Sequence, residues 1–201
     1  MKHLNPVQFV HGIPDSMRWH AVALYDSAFG PKFSVAMPSD EQRLALLFDS
    51  INLSCAFGAI ENDRLVGMAG YRTAEGAFTD GMTYKALLKH AGVIRGNWAA
   101  IVFSLYERSF ASGQMLMDGI VVDSSARSRG IGTELLDRLV RFAGECEYDS
   151  VRLDVIETNT DARRMYERNG FTATHTEHFG YLKWLLGFGA STTMVRMTDC
   201  P

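Results

Sequence analysis

The stretch Val121-Val122-Asp123-Ser124-Ser125-Ala126-Arg127-Ser128-Arg129-Gly130-Ile131-Gly132-Thr133-Glu134-Leu135-Leu136 decides how the chain is read. An apolar strand ends near Asp123, a polar turn follows, and a helix opens at Gly130. Arg127-x-x-Gly130-x-Gly132 gathers backbone N–H groups with no Cβ in the way. The first amides of a helix have no intrahelical partner, and the helix dipole is positive there. That combination suits a pyrophosphate. Two nearby glycines also arise by chance in a plain strand-to-helix turn. The context gives them weight: a strand before, Arg127 and Arg129 within, Thr133 in the first turn, and an amphipathic helix after. No third glycine completes a G-x-G-x-x-G, and no Gly-Lys-Ser/Thr closes a P-loop.

Working downstream, Gln114 to Asp123 is the strand feeding this turn, and Thr133 to Cys146 its helix, with Leu135, Leu136, Leu139, Val140 and Ala143 on the inner face. Ser150 to Thr158 reads as a second buried strand. Strand, helix and strand at this spacing imply a right-handed crossover and a parallel pair. Asn159 caps a short helix, Thr160 to Arg168, that ends at Asn169-Gly170. Phe171 to His178 and Thr193 to Met197 read as closing strands around an apolar, aromatic stretch, 179–190.

Working upstream, Val7 to Val10 reads as a short strand and Ser16 to Phe29 as a helix with Trp19, Val22, Ala23 and Phe29 apolar. Ser39 caps a further helix, with Gln42 three residues on and Leu44, Leu47, Phe48 and Ile51 at helical spacing. Cys55 to Glu61 and Arg64 to Thr73 form a hairpin about Asn62-Asp63. Gly67 and Gly70 mark bulges in it. The loop 74–81 has an exposed character. Residues 82–109 divide into two apolar helices, one over Tyr84, Leu87, Leu88 and Ala91, the other over Trp98, Ile101, Val102, Leu105 and Tyr106, broken at Gly96-Asn97. Core packing accounts for their faces, and a pocket wall or a homodimer contact is compatible with it.

The 201 residues carry a net charge of −3 and are 47% hydrophobic, which fits one domain over 1–201 with a substantial core. Such a balance creates no field for nucleic acid or an anionic membrane. No apolar run is long enough to span a bilayer. Met1 to Pro6 lacks the apolar region of a signal peptide. Cys55, Cys146 and Cys200 are scattered and form no C-x-x-C, so a reducing cytoplasm is expected.

Two blocks, in this order and spacing, resemble the GCN5-related N-acetyltransferases (GNAT superfamily). The first is Val122-Asp123-x-x-x-Arg127-x-x-Gly130-x-Gly132-Thr133-x-Leu135-Leu136. The second is Leu153-Asp154-Val155-x-x-x-Asn159-x-x-Ala162-x-x-x-Tyr166-Glu167-x-x-Gly170-Phe171. The detailed match covers roughly 114–178, and the hairpin 55–73 fits the preceding strands. The resemblance implies an α/β fold: a twisted mixed sheet flanked by helices, two parallel strands splayed apart, and 82–109 as a helical insertion. Acetyl-CoA would lie in the splay as cosubstrate. Its pyrophosphate would rest on Arg127, Ser128, Arg129, Gly130, Ile131, Gly132 and Thr133. Its pantetheine would pair with the edge of Ile120, Val121 and Val122 like an added strand, with Asn159, Ala162 and Tyr166 beside it.

Acetyl transfer to an amine needs a neutral nitrogen, a polarised carbonyl and a thiolate able to leave. An alkylamine with a pKa near ~10 is almost wholly protonated at neutral pH, so a base is required. A backbone N–H near Val122 can hold the carbonyl oxygen as its charge grows. By the resemblance, Tyr166 lies near the CoA sulfur and protonates it; the plain alternative is a packed tyrosine with a satisfied hydroxyl. Asp118, placed by strand alternation on the face of Ile120 and Val122, leads as base, ahead of Asp154. Glu157 lies nearer the end of the same strand as Asp154. For Asp154 the plain alternative is a salt bridge to Arg152 or Arg163. His175 and His178 sit three apart on a strand and face opposite ways, so no metal site is expected. No nucleophile elbow occurs, so direct transfer in a ternary complex is expected. Cys146 reads as a small core residue. The acceptor, a small-molecule amine or a protein N-terminus or lysine, is set by segments near 28–38, 74–82, the inserted helices and 179–192. A non-catalytic acyl-CoA sensor is the competing class.

Overall fold

The computed structural model describes residues 6–104, 111–180, 183 and 187–198. Leu105 and Tyr106 of the expected second inserted helix, much of the apolar stretch after Gly180, and Cys200 lie outside the described residues. The strands are β1 (Gln8–His11), β2 (Ala56–Glu61), β3 (Arg64–Arg72), β4 (Gln114–Val122), β5 (Ser150–Ile156), β6 (Thr172–His178) and β7 (Ala190–Met197). They form one sheet in the order β1-β2-β3-β4-β5-β7-β6. Every neighbouring pair is antiparallel except β4 and β5. The helices are α1 (Arg18–Phe33), α2 (Asp40–Ser50), α3 (Tyr84–Ser104), α4 (Ile131–Glu145) and α5 (Thr160–Arg168). None of the described helices is long and apolar enough to cross a membrane.

Local signals account for much of this. Asn62 and Asp63 both take positive φ (51° and 58°), the left-handed pair that a two-residue hairpin turn requires. The Ser39 hydroxyl accepts the Gln42 amide and caps α2. Asn159 accepts the Ala162 amide, and α5 spans the expected residues and ends before Gly170 at φ 79°.

Two cores sandwich the sheet. On one face Leu135, Leu136, Leu139, Val140 and Ala143 of α4 pack with Met115, Val151, Leu153, Tyr166 and Phe171. On the other, Ala21, Val22 and Leu47 of α1 and α2 meet Met68, Phe78 and Val121. A smaller cluster of Met37, Leu46, Leu87, Ala99 and Val102 joins α3 to α2. The buried Arg43 staples α2 to α1 through both Asp26 oxygens and also reaches Asp40.

Several local expectations are corrected. The break in α3 is at Gly92 (φ 75°, ψ 175°), not at Gly96-Asn97. Gly96 is buried inside the second half, where a Cβ would meet the Leu87 carbonyl at 3.0 Å. Ala23 is exposed, and Trp19 lies on the surface against Phe48, their rings 4.4 Å apart. The 74–81 loop is not a surface loop throughout. Its Phe78 is fully buried and hydrogen-bonded to Asn52 and Tyr71 through its backbone. Cys146 is exposed at the end of α4 rather than in the core.

Candidate active site

The parallel strands β4 and β5 pair only where Gln114–Leu116 meet Ser150–Arg152, and then part. Beyond that point β4 keeps its partner β3, with Ile120, Val121 and Val122 opposite Ala69, Met68 and Gly67. The Asp123 amide donates to Val66 in β3. By strand alternation the amides of Ile120 and Val122 therefore face the open side, while the backbone of Val121 is engaged with β3. The opening is a cleft of about 340 Å³, with Met117, Asp118 and Ile120 on one wall and Asp154, Val155, Asn159 and Tyr166 on the other.

At the far end of β4, Asp123 caps the short turn Ser124–Ala126 through the Ser125 amide and pairs with Arg64. Ser128 (φ 59°) and Gly130 (φ 79°) then turn the chain into α4. A Cβ on Gly130 would meet nothing within 4 Å, so this backbone faces open space. Among the described residues, no hydrogen bond is donated by the amides of Ser128 to Thr133. A row of unused donors at a helix start fits a pyrophosphate. The two arginines serve the loop itself: Arg129 forms a two-pronged pair with Glu61 at 2.6 and 3.0 Å, and Arg127 Nε donates to the Val122 carbonyl at 3.3 Å. The Arg129 pair holds the Glu61 carboxyl below its ordinary range.

Tyr166 is 6% exposed, packs on Phe171 and lines the cleft. Its hydroxyl makes no hydrogen bond among the described residues, so its reach is into the cleft. Burial raises its pKa, so the phenol stays protonated at neutral pH and is equipped to give a proton. Asn159 caps α5 and also lines the cleft, and Ala162 packs against the α4-side core.

The two aspartates differ. Asp154 accepts from Thr193 Oγ1 at 2.5 Å and pairs with Arg152 at 3.3 Å, as the salt-bridge alternative expects. Glu157, farther along, accepts the Gly189 amide. Asp118 is the extra residue of a β-bulge: Tyr71 stands opposite Met117, and Gly70 opposite Gly119. The bulge flips the alternation, so Met115 and Met117 share the α4-side core with Ile120 and Val122. Asp118 is thereby out of phase with Ile120 and Val122, contrary to the alternation argument. Its carboxylate accepts from Thr79 at 3.0 Å and lies 3.8 Å from Arg72 Nε, itself buried without a hydrogen bond. Burial raises the Asp118 pKa, and Arg72 and Thr79 pull it part of the way back.

The remaining wall is aromatic. Tyr25, Phe29 and Phe33 of α1 line it together with Met82 and Phe103. The tip of the Phe29 ring fills the space a side chain on Gly119 would need, 2.6 Å from its Cβ position. The sequence reading did not single out Tyr25, Phe33, Arg72 or Thr79. The four-residue spacing of Tyr25, Phe29 and Phe33 was a usable signal for one helix face. The placement of Arg72 and Thr79 has no local signature. The four segments expected to set the acceptor all reach this cleft, through Phe29 and Phe33, Thr79 and Met82, Phe103, and Phe188. Among the described residues, no three His, Cys, Asp or Glu side chains gather in a metal-binding group.

A sequence model of the acetyltransferase (GNAT) family matches residues 21–171. No curated protein matches the chain in sequence. Among solved structures, one described as an acetyltransferase superposes with a TM-score of 0.64 at 16% identity, over 96% of this chain and 100% of that one. An N-acetyltransferase from Staphylococcus aureus Mu50 gives 0.61 at 15% identity, over 97% and 100%. A GCN5-related N-acetyltransferase from Kribbella flavida gives 0.60 at 16%, over 95% and 97%. At these identities the likeness speaks for the fold.

Proposed function

The chain belongs to the acetyltransferase (GNAT) family, and from that premise we propose that it carries an acetyl group from acetyl-CoA to a primary amine of a small molecule, by direct attack. The amides of 128–133 receive the pyrophosphate, and the free edge of Ile120 and Val122 receives the pantetheine. The Val122 N–H stabilises the carbonyl oxygen as negative charge develops on it. The amine nitrogen forms a bond to the carbonyl carbon, and the C–S bond breaks with its electron pair on sulfur. Asp118 takes one amine proton, directly or through a water, and Tyr166 protonates the departing thiolate. Solvent restores both groups. Asp154, engaged by Thr193 and Arg152, positions β7 against β5 rather than moving a proton.

One observation carries this reading: the slot between β4 and β5 has a protonated phenol on one side and a buried carboxylate on the other. The test is thiol release from acetyl-CoA across a panel of amines. Amine-stimulated release with an acetylamide product is expected. Measurable CoA affinity with no stimulated release would make the protein a sensor instead.

A further inference from the structure

We infer that the acceptor is a primary monoamine on a flat apolar body, chemically an arylalkylamine, with its ring held by Tyr25, Phe29, Phe33 and Phe103 and its nitrogen directed to Asp118. This rests on the N-acetyl transfer proposed above and specifies the substrate class for that site.

The first argument is the wall itself. Tyr25 and Phe29 stand 4.5 Å apart between ring centres, and Tyr25 and Phe33 6.1 Å. Phe103, from the inserted helix, meets Phe33 edge-on at 5.3 Å, so the insertion completes the aromatic surface that α1 begins. Rings in these geometries favour another ring, stacked or edge-on, over a hydrated chain. A ring bound here also lies close to Gly119, where Phe29 already fills the space left by the missing side chain.

The second argument is charge. Among the described residues, each carboxylate lining the cleft already faces an arginine: Asp118 faces Arg72 and Asp154 faces Arg152. Such a site can accept one amine nitrogen at Asp118. Among the described residues its lining offers no further carboxylate for the second and third ammonium groups of a polyamine or an aminoglycoside, whose desolvation would go uncompensated there.

The third argument is volume. About 340 Å³ must hold both the acyl end of the cosubstrate and the acceptor. That is near the lower limit for a small-molecule pocket. It accommodates a single ring on a short chain.

The experiment uses the full chain with saturating acetyl-CoA and four acceptors: phenethylamine, butylamine, spermidine and a lysine-containing peptide. The expected result is a kcat/KM for phenethylamine at least about tenfold above each of the others, the discrimination that one or two ring contacts provide. In Phe29→Ala the phenethylamine KM rises roughly tenfold while butylamine changes much less, so the preference collapses. Phe103→Ala, on the peripheral inserted helix, is the second variant and shifts the same ratio without touching the sheet core. Faster turnover of spermidine or the peptide than of phenethylamine would overturn the assignment and leave N-acetyl transfer standing. Unchanged amine preference in both variants would also overturn it. No release with any amine, with acetyl-CoA binding intact by calorimetry, would overturn both readings together.

Discussion

The two faces of the sheet are built differently. On the α4 face, a fifteen-residue helix buries seven residues, from Ile131 to Gly144, in one continuous core shared with α5. On the other face α3 runs 21 residues but buries only Leu87, Gly96, Ala99 and Val102, and leaves Ile94 87% and Ile101 60% exposed. The α4 face carries the proposed phosphate cradle and Tyr166, and the opposite face carries the aromatic wall and Asp118. The proposed support for the cosubstrate is thus integral to the main core, whereas α3 is attached to α2 through a small cluster of its own. On the function proposed above, the difference means that acceptor choice can vary with α3 and α1 while the machinery for the cosubstrate stays fixed.

Four experiments break or sharpen this contrast. The largest effect is expected from Gly130→Glu. The position has φ 79° and open space ahead of it, so a carboxylate would stand where the diphosphate is proposed to bind. Acetyl-CoA affinity is expected to fall beyond calorimetric detection with the fold retained by circular dichroism. Left-handed strain adds only about 1–2 kcal/mol. Retained affinity in a folded variant would remove the cradle from the α4 face. Next, Tyr166→Phe is expected to slow single-turnover transfer by about 10²-fold, the scale of general acid catalysis, with acetyl-CoA affinity nearly unchanged. An unaltered rate would take this residue out of the chemistry.

The third comparison is direct. Leu139→Ala is expected to cost about 2–5 kcal/mol in urea unfolding, as a fully buried leucine in a close-packed core does. Ile94→Ala is expected to cost no more than about 0.5 kcal/mol, as a surface change. Equal costs would mean that α3 is as integral as α4. The smallest effect concerns pH. As the proposed base, Asp118 would act only when ionised, and burial raises its pKa above the ordinary carboxylate range. The acidic limb of kcat/KM is therefore expected at a higher pH than an ordinary carboxylate would give, and Asp118→Asn should abolish that limb. A limb that survives the substitution belongs to another group.

The α4 face was largely legible because its signals are local. The Asn159 cap, the glycines at 130 and 132 and the apolar spacing of Leu135 to Ala143 each lie within a few residues of what they specify. The other face was less so, because its decisive contacts join distant segments. Gly92 and Gly96 are indistinguishable in sequence, yet one breaks a helix and the other admits a neighbour. The burial of Phe78 depends on Tyr71 and Asn52 accepting its loop. The bulge at Asp118 is a property of how β4 pairs with β3, and no residue type announces it. Arg129 shows the same limit on the legible face, since its partner Glu61 lies 68 positions away.

That bulge imposes a parity rule on β4. Because one residue stands outside the ladder, Met117 and Ile120 share a side although three positions separate them. Removing Asp118, the residue outside the ladder, would leave Met117 and Ile120 two positions apart and still on one side, with the downstream register unchanged. The amides of Ile120 and Val122 would keep facing the open edge, the apolar side chains would keep their cores, and the carboxylate beside Arg72 would be lost. A second deletion would find no spare residue to absorb it and would exchange the two faces, so the bulge is a reserve of one residue that lets β4 carry a carboxylate without disturbing its pairing.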